Sequence, residues 1–251
     1  MTSFVDLCVV LKSFPFQERD KIVVTFTENH GKVTGLAKGA IHSKRFGGSL
    51  DLLSCSNIHF VQKNPTAEFL FISEAVTHHE FQGFGKDFEK LSYASFAIEI
   101  CYHLSETLTP QRELFVALCN FLFHLNQNMS PLLALNAFIS KSLKILGYSP
   151  SFFRCVKCEK PAHVLLQKEW HWSTQSGGIV CKNCNPSSQK ILTDDLLLHY
   201  EKLLNSSFKD LSPGSTQKLD SILFSLFFEF LNYHVPGIPK KGLNSVNFIS
   251  Y

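Results

Sequence analysis

Cys155, Cys158, Cys181 and Cys184 form two C-x2-C pairs separated by 22 residues. Two residues between cysteines let both sulfurs of a tight turn face one atom, and two such knuckles supply the four thiolates that Zn2+ takes in a tetrahedron. The gap exceeds the roughly 15–20 residues usual for such pairs, an excess that a hairpin absorbs. Four sulfurs complete the coordination sphere and leave no position for a reacting water, so the predicted zinc is structural. Two unrelated pairs of turn cysteines, or two disulfides, are the competing readings, and the duplicated spacing favours metal. His78-His79-Glu80 contains the H-x-E of a zinc deaminase, in which His78 and two cysteines would bind metal while Glu80 moves protons. No proline precedes either C-x2-C, however, and the second cysteine pair would be left without a role. No phosphate loop, dinucleotide fingerprint, H-E-x-x-H or nucleophile elbow is present, and Gly83-Phe84-Gly85 is a fragment without context. The sequence thus offers no active site, and the chain reads as a non-enzyme.

A second group of residues suits binding. From His30 to Lys63 five cations (Lys32, Lys38, Lys44, Arg45 and Lys63) meet one acid, Asp51. Within that span, Lys38-Gly39-Ala40-Ile41-His42-Ser43-Lys44-Arg45-Phe46-Gly47-Gly48 carries three cations, a histidine and no acid, with glycines near both ends. Cations on phosphates and aromatic rings on bases are how a small barrel holds a nucleic-acid strand. A solvated loop fits the charge pattern as well, and Phe46 fits either a base or the interior.

The elements that must position these groups follow from composition and period. The chain has 251 residues, 45% hydrophobic and 18% charged, with a net charge of +3. That is enough for a sizeable core in two or three modules. The 24 phenylalanines are read chiefly as core filling. No apolar run reaches the ~18 residues of a membrane span, and MTSFVDLCVV carries Asp6 where a signal sequence would carry positive charge. The eight cysteines are accordingly expected as reduced cytoplasmic thiols, with Cys8, Cys55, Cys101 and Cys119 as small buried hydrophobes.

Strands are predicted at 5–11, 22–27, 31–37, 56–61 and 68–75, with turns at Glu28-Asn29-His30-Gly31 and Asn64-Pro65. Five short strands in about eighty residues suggest a small closed sheet, of OB or SH3-like type. Helices are predicted from Asp87, over 111–125 with Thr109 as N-cap and Pro110 in the first turn, and from Pro131 to a stop at Gly147. In the cysteine module, Val164-Leu165-Leu166 and Trp170-His171-Trp172 read as strand, ending at Gly177-Gly178. Thr193 is the expected cap of a helix over 194–204, and Ser215 or Thr216 that of a last helix reaching His234. Residues 235–251 are expected as an extended tail.

Leu11-Lys12-Ser13-Phe14-Pro15-Phe16-Gln17-Glu18-Arg19-Asp20-Lys21-Ile22-Val23, then Phe26 to Lys32, Ala37 to Ala40 and Ser43 to Gly48, resembles the bacterial RecO family. The likeness continues through Leu143-Lys144-Ile145-Leu146-Gly147-Tyr148-Ser149-Pro150, leading into the four-cysteine module, and through Gly177-Gly178 before Cys181. It covers most of the chain in order and is weakest over residues 60–130 and after 190. The resemblance implies an α+β protein, an N-terminal OB-fold β-barrel followed by an α-helical domain carrying a four-cysteine zinc-binding module. The implied domains are 1–80 for the barrel, 81–150 for the first helical part, 151–190 for the zinc module, and 191–251 for the last helices and tail.

By the same resemblance the protein is a recombination mediator of DNA repair in the cytoplasm, associated with the nucleoid. It would bind and anneal single- and double-stranded DNA and act with RecR to help RecA displace single-strand-binding protein, with no membrane partner. Carried over by position, Lys12, Arg19, Lys21, Lys32, Lys38, Lys44 and Arg45 are the expected DNA contacts, and Cys155, Cys158, Cys181 and Cys184 hold the zinc. The tail only loosely echoes the family's C-terminal ending. A zinc-ribbon adaptor that binds proteins alone through its barrel is the alternative; it would show an acidic or apolar barrel face.

Overall fold

Val23, Val33, Ile58, Phe60 and Ile72 come from four different strands and meet at one centre, which requires the strands to curl into a closed sheet. In the computed structural model, residues 2–62, 69–79, 81, 84–162, 169–184, 190–211, 217–239 and 241–249 are described. Lys63, the Asn64-Pro65 turn, Glu80, Gly83, Val164-Leu165-Leu166 and Ser215-Thr216, all named above, lie outside them. The chain divides into two compact units, Met1–Asn126 with Ser245–Phe248, and Gln127–Asn244 with Ile249–Tyr251.

The first unit holds the barrel. Strands β1 (Thr2–Phe16), β2 (Asp20–Thr27), β3 (Gly31–Ala37), β4 (Cys55–Gln62) and β5 (Leu70–His79) close in the order β1-β2-β3-β5-β4, an OB arrangement. Strand β1 is long enough to serve two neighbours. Its first half pairs with β4, from Thr2 opposite Gln62 to Val9 opposite Cys55, and its second half pairs with β2, ending at Phe16 opposite Asp20. A shift of register between Val10 and Lys12 lets the strand bend from one pairing to the other. The parallel contact of Gly35-Leu36 with Leu70-Phe71 completes the closure.

Ala40, Phe46 and Leu50 from the β3–β4 connection join the barrel core. Phe46 is 2% exposed, so its ring plugs the barrel and is not available to a base. At the other end the buried Asp6 carboxylate accepts from the Leu7 and Asn29 main-chain N–H groups and the Asn29 side chain, and meets His30 Nδ1 at 2.7 Å. These bonds fix the β2–β3 turn.

Helix α1 (Phe88–Leu104) begins at Asp87, whose side chain accepts from the Lys90 N–H. Helix α2 (Arg112–Asn126) starts later than predicted, and Thr109 does not cap it. The Thr109 hydroxyl instead donates to Thr107 O at 3.3 Å. The reason is tertiary: Lys32 donates its N–H to Glu106 O and accepts from the Leu108 N–H, so the α1–α2 linker is held as a ladder against β3. The tail also departs from expectation. Asn244–Phe248 forms a 3-10 helix in the first unit, where the Ser245 N–H and hydroxyl both donate to Glu99 Oε2 and Phe248 meets Phe88 edge-on.

The second unit packs α3 (Pro131–Ile145), α4 (Asp194–Asn205) and α5 (Gln217–His234) beside a three-stranded sheet of β6 (Glu169–Ser173), β7 (Gly178–Val180) and β8 (Ile191–Thr193), in the order β7-β6-β8. Thr193 stands at the N-cap of α4 but makes no side-chain capping bond. Asp194 in the first turn accepts from Trp170 Nε1. His199, Asp220 and Asn136 form one buried polar cluster linking the three helices, with His199 Nε2 2.8 Å from Asp220 Oδ1 and Asn136 Nδ2 donating to Asp220 O. Lys141 Nζ donates to Leu204 O and Ser206 O at the C-terminal end of α4, where the helix dipole favours a cation.

Gly31 has φ +70, and a Cβ there would lie 2.0 Å from Thr109 O. Gly39 has φ +67 with open space around it. Gly39→Ala should therefore cost only the left-handed penalty of about 1 kcal/mol, and Gly31→Ala about 3 kcal/mol or more because main chain must move. Denaturant midpoints of the two variants measure the difference.

Candidate metal centre and cationic barrel face

The cysteine module is built from two turns brought together by main-chain bonds. Cys155 donates its N–H to Lys160 O and accepts at its carbonyl from the Glu159 N–H, which makes the first knuckle a tight hairpin. Cys181 follows β7 directly, and the Cys184 N–H donates to Cys181 O to form the second. Ser151 pairs with Gly178 and Val156 donates to Ile179 O, so the first knuckle lies along β7 and faces the second. A Cβ on Gly178 would lie 2.5 Å from Ser151 O, which only glycine avoids.

All four Sγ atoms lie within 4.8 Å of one another. Cys158 Sγ and Cys181 Sγ are 3.8 Å apart, the edge expected of a tetrahedron whose metal–sulfur bonds are about 2.3 Å. Burial raises the Cys155 thiol, but N–H donors of Cys181, Cys158 and Lys157 outweigh it and bring the pKa to about 6. Hydrogen bonding to Cys181 pushes Cys184 up to about 12, with burial and the other two sulfurs adding to the effect. One sulfur is thus poised as thiolate, with a protonated thiol at Cys184. A set of this composition and spacing could hold a metal ion. His78 belongs to β5, and the candidate donor set found among the described residues consists of the four cysteines without it.

The module is continuous with the core of its unit. Phe152 stacks on Trp172 at 5.2 Å and meets Tyr200 of α4 at 4.4 Å, and Tyr200 meets Phe227 of α5.

The cations predicted for DNA fall into three groups. Lys12 and Lys32 converge on the end of α1. Lys12 Nζ lies 3.5 Å from the centre of the Tyr102 ring, and Lys32 Nζ donates to Tyr102 O at 2.8 Å. Burial lowers the Lys32 pKa, and Lys12 lowers it further. Lys21 pairs with Asp51 at 3.0 Å. Arg19, Lys38, Lys44 and Arg45 are exposed, and no ion pair engages them among the described residues. The Arg45 guanidinium rests 4.4 Å from the Phe46 ring, and Lys38 Nζ lies 5.4 Å from that of Phe71. Tyr102 was not foreseen as a partner of these lysines, because its place in a helical apolar pattern carries no trace of a contact with β1 and β3.

A family model described as recombination protein O N terminal matches residues 1–93, and one described as recombination protein O C terminal matches residues 85–244. The chain is 32% identical over 241 residues to DNA repair protein RecO of Desulfatibacillum aliphaticivorans, covering 93% of this chain and 92% of that protein. It is 29% identical over 249 residues to DNA repair protein RecO of Syntrophus aciditrophicus, covering 96% and 93%. Its identity to DNA repair protein RecO of Rhodopirellula baltica is 31% over 188 residues, covering 74% and 69%. Among the described residues, no helix is long and apolar enough to cross a membrane. A closed five-stranded barrel, a helical unit with a four-cysteine cluster, and two family matches that together run from residue 1 to 244 agree: the chain belongs to the RecO family of DNA repair proteins.

Proposed function

We propose that this protein is a recombination mediator that works by binding rather than by a chemical step. It holds single- and double-stranded DNA on the barrel, brings complementary strands together for annealing, and assists RecA loading in concert with RecR and single-strand-binding protein. Such work belongs in the cytoplasm, at the nucleoid. The observation that carries this reading is the set of exposed cations on and beside the barrel, Arg19, Lys38, Lys44 and Arg45, in a family of DNA repair proteins. Lys21 lies in the same strand-end region, and Lys12 and Lys32 extend the positive field toward the end of α1.

The mechanism is electrostatic. Each phosphate met by a cation releases condensed counterions, so affinity falls with salt by about 0.7 logarithmic units per contact for a single strand. Two strands held on one positive surface repel each other less and meet at a higher local concentration. Zn2+ at Cys155, Cys158, Cys181 and Cys184 would serve this indirectly, fixing the two knuckles and the aromatic packing behind them.

Binding of a labelled single strand, followed by fluorescence anisotropy across a salt series, tests the reading. Lys44→Ala with Arg45→Ala should leave the fold intact and make the salt slope shallower by about 1.4 for a single strand. An unchanged slope removes the loop from the interface, and no binding by the wild type at low salt refutes direct DNA binding by the protein alone. For the metal, Cys155→Ala should lose bound zinc and lower the melting temperature, since three thiolates hold the ion much less tightly. Protons compete for the same sulfurs, so zinc affinity should fall as the pH is lowered, and more steeply below about 6, where the free Cys155 thiolate also takes up its proton. A zinc-release titration with a chromogenic chelator reads both effects; equal zinc content in Cys155→Ala would refute the structural metal.

A further inference from the structure

The strand register sets four apolar side chains in a line across the outside of the barrel. Phe14 of β1 is opposite Ile22 of β2, Ile22 is opposite Leu36 of β3, and Leu36 is opposite Phe71 of β5. Residues directly opposite in a sheet share a face. The neighbours Val23, Leu70 and Ile72 pack in or against the barrel core, so the line itself faces outward. Ile22 in the middle is buried, while Phe14 at one end is 44% exposed and Leu36 and Phe71 are partly exposed. Three inter-strand steps of about 4.8 Å put the two rings roughly 14 Å apart.

Cations flank this line. Lys12 stands two residues from Phe14 on β1, and Lys38 Nζ lies 5.4 Å from the centre of the Phe71 ring. Asp20 is the acid nearest in register, opposite Phe16, and its Oδ1 accepts from the Gly39 N–H at 2.7 Å. An apolar line with a ring at each end, Lys38 beside one ring and Lys12 two residues along the strand from the other, matches one ligand chemistry best. Unpaired bases offer flat faces to the rings, and the phosphates between them meet the lysines. A duplex has its base faces already stacked and would meet only the cations.

We propose that the Phe14–Ile22–Leu36–Phe71 line is a base-stacking platform for single-stranded nucleic acid, with Phe14 and Phe71 as its two stacking residues. This rests on the DNA-binding reading above and adds to it a contact that depends on bases rather than phosphates. It gives the barrel a preference for unpaired strands that cations alone do not provide.

The test compares a thymine oligonucleotide of about 20 nucleotides, beyond the ~4–16 that one OB barrel covers, with an abasic phosphodiester of the same length and with a duplex. The wild type should bind the thymine strand about tenfold or more tightly than the abasic strand. Phe14→Ala and Phe71→Ala should each lose about tenfold on the thymine strand, with little change on the abasic strand or the duplex and an unaltered salt slope. Val5→Ala removes a side chain that is 62% exposed elsewhere on β1 and should change none of these. If circular dichroism shows an alanine variant misfolded, Phe14→Leu and Phe71→Leu keep the apolar bulk, lose the ring, and decide the matter by the same losses. Equal wild-type affinity for thymine and abasic strands, or full affinity in the folded Phe14 and Phe71 variants, overturns the platform and leaves the cationic reading standing. Binding of neither strand at low salt overturns both.

Discussion

Closure of the barrel is the constraint that gives this chain an ordered outer face. Strand β1 pairs with β4 over its first half and β2 over its second, and the register shift after Val10 turns one pairing into the other. A sheet closed in this way has no edge strand to pair with other chains, so its outer face is fixed in register. Alternation then decides what each residue meets. Val23, Val33 and Ile72 fill the interior with Phe46 as plug, and Phe14, Leu36 and Phe71 stand outside between Lys12 and Lys38.

The second unit solves a different problem. Its sheet has strands of five, three and three residues, too little surface to hold two cysteine turns by apolar burial alone. Main-chain bonds from Ser151, Val156 and Cys155 set the knuckles in place, and the sulfurs end within reach of one ion. The aromatic contacts from Trp172 through Phe152 and Tyr200 to Phe227 tie that local order to the helices. Cysteine cluster and core are thereby parts of one packing arrangement.

Much of this was legible in the chain because the signals were local. Two C-x2-C pairs state their chemistry in a few residues, β-branched runs mark strands wherever they fold, and Asp87 and Pro131 begin helices by their own bonding properties. What escaped depends on contacts between distant segments. Thr109 has the right side chain to cap a helix, but the ladder with Lys32 fixes its backbone first. Phe46, left open in the sequence between a base and the interior, points inward because the barrel end needs a plug. Lys32 has the same charge as Lys44, yet a carbonyl seventy residues away holds its ammonium group. The extended tail was expected because two prolines break regular structure, and the Glu99 carboxylate that organises Ser245 lies 146 residues upstream.

That last bond carries a consequence for the order in which the chain acquires its structure on the ribosome. Glu99 belongs to the first unit and is made early, while Ser245, its partner, emerges only after residues 127–244 of the second unit. At roughly 5–20 residues per second the interval is about 7–30 s, long against the microseconds to milliseconds in which strands and helices form. The unit that starts folding first therefore waits on a clasp that is made long after the rest of it.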